Sequence, residues 1–263
     1  MPTTFFGWVG FILEKYGSLF LSGTGITMLI AVSGTVLGFL IGLLVAIART
    51  VRPAPQAGFL PRALLTLLKG ILNAYIEVFR GTPMLVQAMV IYYGLQQFAG
   101  ISMNQLVAGV FVVSINTGAY MAEIVRGGIL SVDVGQTEAA HSIGMTHWQT
   151  MANVVLPQAI RNIMPSIGNE FIVNIKDSCV LNVIAVSELF FMSKKAAGTY
   201  LRYFEVFFIT GCIYLTITFA VSRLLRLLER RMDGPASYTI HGSQSAAGAA
   251  IAVRGLDGGK EGG

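Results

Sequence analysis

Apolar residues in this chain come in long runs rather than in alternation. Leu19 to Ala48 carries no charge until Arg49, and a run of that length predicts a helix able to cross a bilayer, which needs about 20 mostly apolar residues. Similar windows follow at Met84 to Ala99, Leu106 to Val125 and Tyr203 to Ser222. A further one, "IMPSIGNEFIVNIKDSCVLNVIAVSELFFM", has membrane length but holds Glu170, Asn174, Lys176, Asp177 and Glu188. The expected fold class is an all-α polytopic membrane protein of about five transmembrane helices.

Between the spans the pattern changes. "FLPRALLTLLKGILNAYIEVFRGTP" punctuates leucines with Arg62, Lys69 and Glu77. That spacing predicts an amphipathic helix lying along the inner surface before the second span. The opening "MPTTFFGWVGFILEKYG" lacks a basic leader and a small-residue cleavage site, so residues 1–18 are expected as an interfacial helix rather than a signal peptide. Residues 232–263 are rich in Gly, Ala and Ser without an apolar period and are expected to be a disordered tail. Residues 19–231 are then the membrane domain. In its first span, Gly34, Gly38 and Gly42 form a small-xxx-small series that lets another helix approach closely.

Composition agrees with a membrane solvent: 54% of residues are hydrophobic and 12% charged. The net charge of +5 forms no aromatic-interleaved patch for nucleic acid. The basic residues cluster at the ends of apolar runs, as at Arg49, Arg52, Arg223 and Arg226, whereas Lys15, Lys194, Lys195 and Arg202 fall on the other side. Lys/Arg asymmetry of this kind places the N-terminus outside and the C-terminus inside. Cys179 and Cys212 lack metal or redox spacing and are expected as buried small apolar residues.

The polar stretch "DVGQTEAAHSIGMTHWQTMANVVLPQ" stands apart from this apolar background. It falls within residues 131–158, a segment expected on the cytosolic side. "VGQTEAAHSIG" has helical spacing and stops at Gly144, a residue suited to a left-handed helix cap. Thr146 and Gln149 then form a capping box opening a second helix, which Pro157 should bend or end. A short helix pair of this size, with Ala139 and Ala140 permitting close approach, suits insertion into a partner's groove. An ordinary loop remains open on periodicity alone.

Glu138-Ala139-Ala140, then Gly144, then Leu156-Pro157 resembles the EAA loop of membrane subunits of ATP-binding-cassette importers. "RGTPMLVQ" from Arg80, "NTGAYMAEIVRGGI" from Asn116 and "GNEFIVNIKDS" from Gly168 resemble the polar amino acid uptake branch of those permeases. The likeness covers approximately Ser18 to Arg231. At Cys179, "KDSCVLN" departs from the "KDTSL" or "KDSSL" usual in the branch. The resemblance implies a five-helix permease core in the bacterial inner membrane. It implies pairing with a second permease, identical or related, with two cytoplasmic ATPases that bind ATP and magnesium, and with an extracytoplasmic amino acid binding protein. Glu138, Ala139, Ala140 and Gly144 become the ATPase-coupling residues. The chain itself is then expected to need no cofactor.

Substrate candidates follow from charge in the membrane, where an ionisable group costs about 2.5–3.5 kcal/mol at a helix centre and therefore pairs or lines a polar cavity. Lys176 and Asp177 are sequence neighbours on different helix sides, so each needs another partner or a broken helix. Bridging to other helices and contact with a zwitterionic amino acid both remain open; Ser178 adjoins them. Asn116 and Tyr120 share one face of the third span, where Asn116 could serve a ligand or tie two helices. Glu170 is a candidate for reading a cationic substrate.

Two other classes of function compete with this one. An ion-gradient-driven secondary amino acid transporter would use Lys176, Asp177, Glu170 and Glu188 as an ion path. An enzyme finds little support: the sequence has no phosphate-binding loop, HExxH or GxSxG, and His141, His147 and His241 all lie outside the expected spans. Catalytic and metal-binding residues are accordingly expected to be none.

Overall fold

The computed structural model describes residues 2–51, 53 and 58–232. The expected disordered tail lies outside them from residue 233 onward. Nine α-helices are described: α1 (Phe5–Thr50), α2 (Phe59–Gly81), α3 (Met84–Ala99), α4 (Gln105–Leu130), α5 (Val134–Ser142), α6 (His147–Thr150), α7 (Leu156–Asp177), α8 (Leu189–Tyr200) and α9 (Tyr203–Met232). A π turn (Met151–Val155) joins α6 to α7, and a 3-10 segment (Ser178–Ile184) follows α7.

Helix α1 is the spine. Thr4 caps it by accepting a hydrogen bond from the Gly7 amide at 3.2 Å, and its 46 residues extend about 70 Å at 1.5 Å per residue. The interfacial helix expected over residues 1–18 is therefore continuous with the first span. The physical reason lies in packing: Trp8, Ile12 and Phe20 are buried in one apolar cluster with Leu189 and Ala196 of α8 and Val206 and Ile209 of α9. Further along, the glycine series faces α4, with Gly34 against Val113, Gly38 against Thr117 and Gly42 against Met121. A Cβ placed on Gly38 would lie 2.7 Å from the Thr117 Cβ, so the two helices touch backbone to side chain with no room between.

Four described helices have the length and apolarity to cross a membrane: α1, α2, α4 and α9. Three of them carry the expected first, third and fifth spans. The fourth, α2, was expected along a surface. Its amphipathic pattern fits either placement, because only Ile76 is buried while Leu60, Leu64, Leu67 and Leu68 are exposed. Met84–Ala99 forms α3, whose 16 residues fall short of the span length. The polar fourth window is divided: α7 ends at Asp177, a 3-10 turn follows, Ala185 closes it with a left-handed φ of 58°, and α8 starts afresh. The new helix is capped by Glu188, whose carboxylate accepts from the Phe190 and Phe191 amides at 2.8 and 2.7 Å and from the Tyr214 hydroxyl at 3.1 Å. Glu188 is thus a structural cap, and the charge has local partners.

Leucines and phenylalanines on the outer faces of α1, α2 and α9, such as Leu21, Leu67 and Phe219, are exposed, as a lipid solvent requires. Cys212 is likewise exposed on α9 while Cys179 is partly buried. This corrects the expectation that both would be interior, since an apolar run in a membrane protein has no single inward side.

Candidate functional site

Two features gather the polar residues that the apolar bundle would otherwise exclude. The first lies at the middle of α4. Thr117 Oγ1 donates to Asn174 Oδ1 of α7 at 3.0 Å, and Asn174 Nδ2 donates to Thr35 Oγ1 of α1 at 2.9 Å. All three are buried, so one side chain ties three helices. On the adjacent residue, Asn116 Nδ2 donates to Gln87 Oε1 of α3 at 2.9 Å and to the Phe79 carbonyl of α2 at 3.2 Å. Gln87 in turn donates to the Phe79 and Thr82 carbonyls, both at 2.9 Å. Of the two readings of Asn116, the structure displays the interhelical one.

Around these ties sit charged groups with fewer partners. Glu170 is only 4% exposed and makes no hydrogen bond or ion pair among the described residues. It lies within electrostatic reach of Asp177 and of Arg80, whose guanidinium carbon stands 5.5 Å from the centroid of the Tyr120 ring. Lys176 and Asp177 are exposed at the end of α7, also without hydrogen bond or ion pair among the described residues, and the α-helix breaks immediately after them. Ser178 is buried and donates to the Ile175 carbonyl at 2.9 Å. Tyr120 and Glu170 are therefore brought to one depth, with Asn116 one turn away at the level of Asn174, whereas Lys176, Asp177 and Ser178 lie about two turns beyond Glu170 along α7.

The second feature is the helix pair after α4. Asp133 caps α5, accepting from the Gly135 amide at 2.6 Å. At its other end Gly144 has φ 85°. The Gly144 amide donates to His141 O at 2.9 Å and the Met145 amide to Ala140 O at 3.1 Å, the paired closure that a left-handed glycine permits. The expected capping box is present: Thr146 N donates to Gln149 Oε1 at 2.8 Å and Gln149 N to Thr146 Oγ1 at 3.3 Å. Pro157 neither ends the helix nor breaks it. It falls in the first turn of α7, where its missing N–H is tolerated, and the preceding π turn takes up the extra residue with Leu156 N bonding to Met151 O. Ala140 is buried while Glu138 and Ala139 are exposed, as are Ile143 at 79% and Trp148 at 64%. Where α4 nears this pair, Glu123 pairs with Arg49 of α1 and with Arg126 at 2.8 Å.

A family model described as "Binding-protein-dependent transport system inner membrane component" matches residues 56–234. The chain belongs to this family. Such an inner membrane component serves a transport system that depends on a binding protein, and α1, α2, α4 and α9 fit the multi-pass placement. Similar curated relatives include the glutamine transport system permease protein GlnP of Escherichia coli K12, 37% identical over 81% of this chain and 93% of that one. The arginine transport system permease protein ArtQ of Bacillus subtilis is 33% identical over 81% and 91%. Among solved structures, an amino acid ABC transporter crystallised with histidines shares 41% identity and a TM-score of 0.74, covering 88% of this chain and all of that chain. The methionine transporter MetNI, at 18% identity and a TM-score of 0.69, shares the fold. The chain is thus an amino-acid ABC permease by family and fold.

For this inner membrane component, sequence reasoning passed over Thr35, Gln87 and Thr117. Neutral polar residues are common in apolar helices, and nothing local marks which of them meet. Arg80 entered the sequence reading only as the start of "RGTPMLVQ", and its contact with Tyr120 sets it beside the middle of α4. Only the lone charge in "FRGTP" could have signalled this.

Proposed function

We propose that this chain is the membrane-spanning half of an ATP-driven importer that moves a polar amino acid inward by alternating access. It is oriented with the N-terminus outside. Its partners are a second permease subunit, a pair of cytoplasmic ATPase subunits that hold ATP and magnesium, and an extracytoplasmic amino acid binding protein. The chain carries no cofactor of its own.

The observation that carries this reading is the exposed α5–α6 pair, joined without slack to α4 on one side and α7 on the other. Its outer surface presents Glu138, Ala139, Ile143 and Trp148, an apolar patch rimmed by a carboxylate, which suits a groove on another protein. Ala140 and Gly144 fix the angle of the pair from beneath. When the ATPase subunits close on ATP, a shift of α5–α6 passes to α4 and α7, the same helices that Thr117 and Asn174 tie together. These helices also flank Asn116, Tyr120, Glu170, Lys176, Asp177 and Ser178, the groups proposed to line the amino acid's path. ATP must bind one arrangement more tightly than the other, since equal affinity would shift nothing.

Reconstitution with the neighbouring ATPase in lipid vesicles tests the reading. Individual L-amino acids, with the cognate binding protein, should raise ATP hydrolysis and drive ATP-dependent uptake. Uptake that persists without any ATPase and follows an imposed ion gradient would overturn it.

A further inference from the structure

Helices α7 and α9 touch where Gly168 meets Leu225, so closely that a Cβ on Gly168 would lie 3.1 Å from a Leu225 methyl. Beside this contact a notch of about 280 Å³ opens between them, lined by Pro165 and Asn169 of α7 and by Ser222, Arg226 and Glu229 of α9. Its depth follows from the sequence. The apolar run of α9 ends at Ser222, and Arg223 and Arg226 open the basic stretch that marks a membrane boundary. On the same turns of α9, Leu224, Leu227 and Leu228 are exposed, an apolar surface for acyl chains.

The notch gathers polar groups that the protein leaves unanswered. Arg226 spends its Nε–H on the Ser222 carbonyl at 3.2 Å, and its two terminal amino groups have no partner among the described residues. Glu229 is half-buried and makes no hydrogen bond or ion pair among the described residues. The half-buried Asn169 side chain likewise has no hydrogen bond among them. Arg226 and Glu229 stand three residues apart, a spacing that permits an ion pair, yet they are not paired. Pro165 adds a further acceptor: it lies inside α7 and has no N–H to offer, so the Arg161 carbonyl loses its usual helical partner.

A ligand that answers these groups carries an anion and a hydrogen-bonding cation a few bonds apart, and it comes from the bilayer. An ethanolamine phospholipid has both. Its phosphate suits the planar guanidinium fork, and its primary ammonium carries three N–H donors. A choline headgroup has no N–H to donate, and a glycerol headgroup has no cation and would set its phosphate against Glu229. We propose that the α7–α9 notch binds the headgroup of an ethanolamine phospholipid, with the phosphate on Arg226 and the ammonium on Glu229, Asn169 and the Arg161 carbonyl. The assignment goes beyond the importer reading and is independent of the transported substrate; the orientation proposed above serves only to name the inner leaflet as the source.

The test uses the full-length chain in detergent micelles, titrated separately with dioleoyl phosphatidylethanolamine, phosphatidylcholine and phosphatidylglycerol, and reads the affinity of the first bound lipid by native mass spectrometry. The wild-type chain should bind the ethanolamine lipid about tenfold more tightly than the choline lipid, as expected for a hydrogen bond between charged groups. E229Q should bring the two to near equality and tighten phosphatidylglycerol, because a like charge has been removed. R226Q should weaken all three. A wild-type chain that does not separate ethanolamine from choline, or that prefers phosphatidylglycerol to both, overturns the proposal, as does an E229Q chain with the wild-type ratio. Should the variants fail to fold, successive N-methylation of the ethanolamine lipid decides on the wild-type chain: affinity falling with each methyl supports the site, and an unchanged affinity overturns it.

Discussion

Asn174 carries more of the fold than any charged residue near it. Its amide spans from Thr117 to Thr35, so one substitution loosens α1, α4 and α7 together. Interhelical hydrogen bonds in membranes average about 0.6 kcal/mol with a maximum near 1.7. Asn174→Ala is therefore expected to destabilise by about 1–3 kcal/mol, measured by detergent-titrated unfolding in mixed micelles. Asn174→Gln, too long for the same geometry, should recover little. Thr150 offers the opposite case: its Oγ1 is buried with no partner among the described residues, so Thr150→Val removes an unanswered hydroxyl at constant shape. That change should leave thermal stability unchanged or raise it by about 1 kcal/mol, and a clear loss would show that the hydroxyl is used in another state of the transporter.

The short helical elements were the most legible part of the sequence. Gly144, Thr146 with Gln149, and Asp133 act on backbone groups within a few residues of themselves, so their roles follow from spacing alone. Asn174 acts on residues 57 and 139 positions away, and no local pattern encodes those distances. The same division explains α2: its period was readable, but the solvent on its outer face, water or lipid, was not. Gly144→Ala meets no steric obstacle yet forces a side chain onto φ 85°, a cost of about 1–2 kcal/mol. The helix pair should lose its fixed angle, lowering amino-acid-stimulated ATP hydrolysis severalfold while global unfolding shifts little. Deletion of Ala152 tests the π turn: with one residue fewer the segment relaxes to an α-helix and rotates α5–α6 by about 100° relative to α7. Transport should be lost even though the protein still inserts and is trafficked normally, as read by surface labelling.

At the scale of the whole molecule, the bundle is a rigid α1–α4 pair to which mobile work can be attached. The glycine series fuses the two helices along one side, and Glu123 joins them again where it pairs with Arg49. Helix α7 packs on this pair through Ile163 against Ala46 and Val125 and through the buried Asn174 ties. The fused pair and α7 meet the helix pair from two sides, so a partner pressing on Trp148 addresses both. Trp148→Ala should weaken association with the ATPase by about tenfold or more, as for a central aromatic anchor, with unchanged melting of the isolated permease. Equal affinity for the two forms by surface plasmon resonance would move the docking surface elsewhere.

The glycine seam also sets an order of events during synthesis. Helix α1 is complete at Thr50, but the surface that covers Gly34, Gly38 and Gly42 is not finished until α4 ends at Leu130. At about 5–20 residues per second, the ribosome needs roughly 4–16 s to deliver those intervening residues. Throughout that interval the first helix sits in the membrane with a bare groove along its length, available to any neighbouring small-residue helix. The nascent chain thus depends on translation speed and on whatever shields it at the insertion site, long before it meets an ATPase or a substrate.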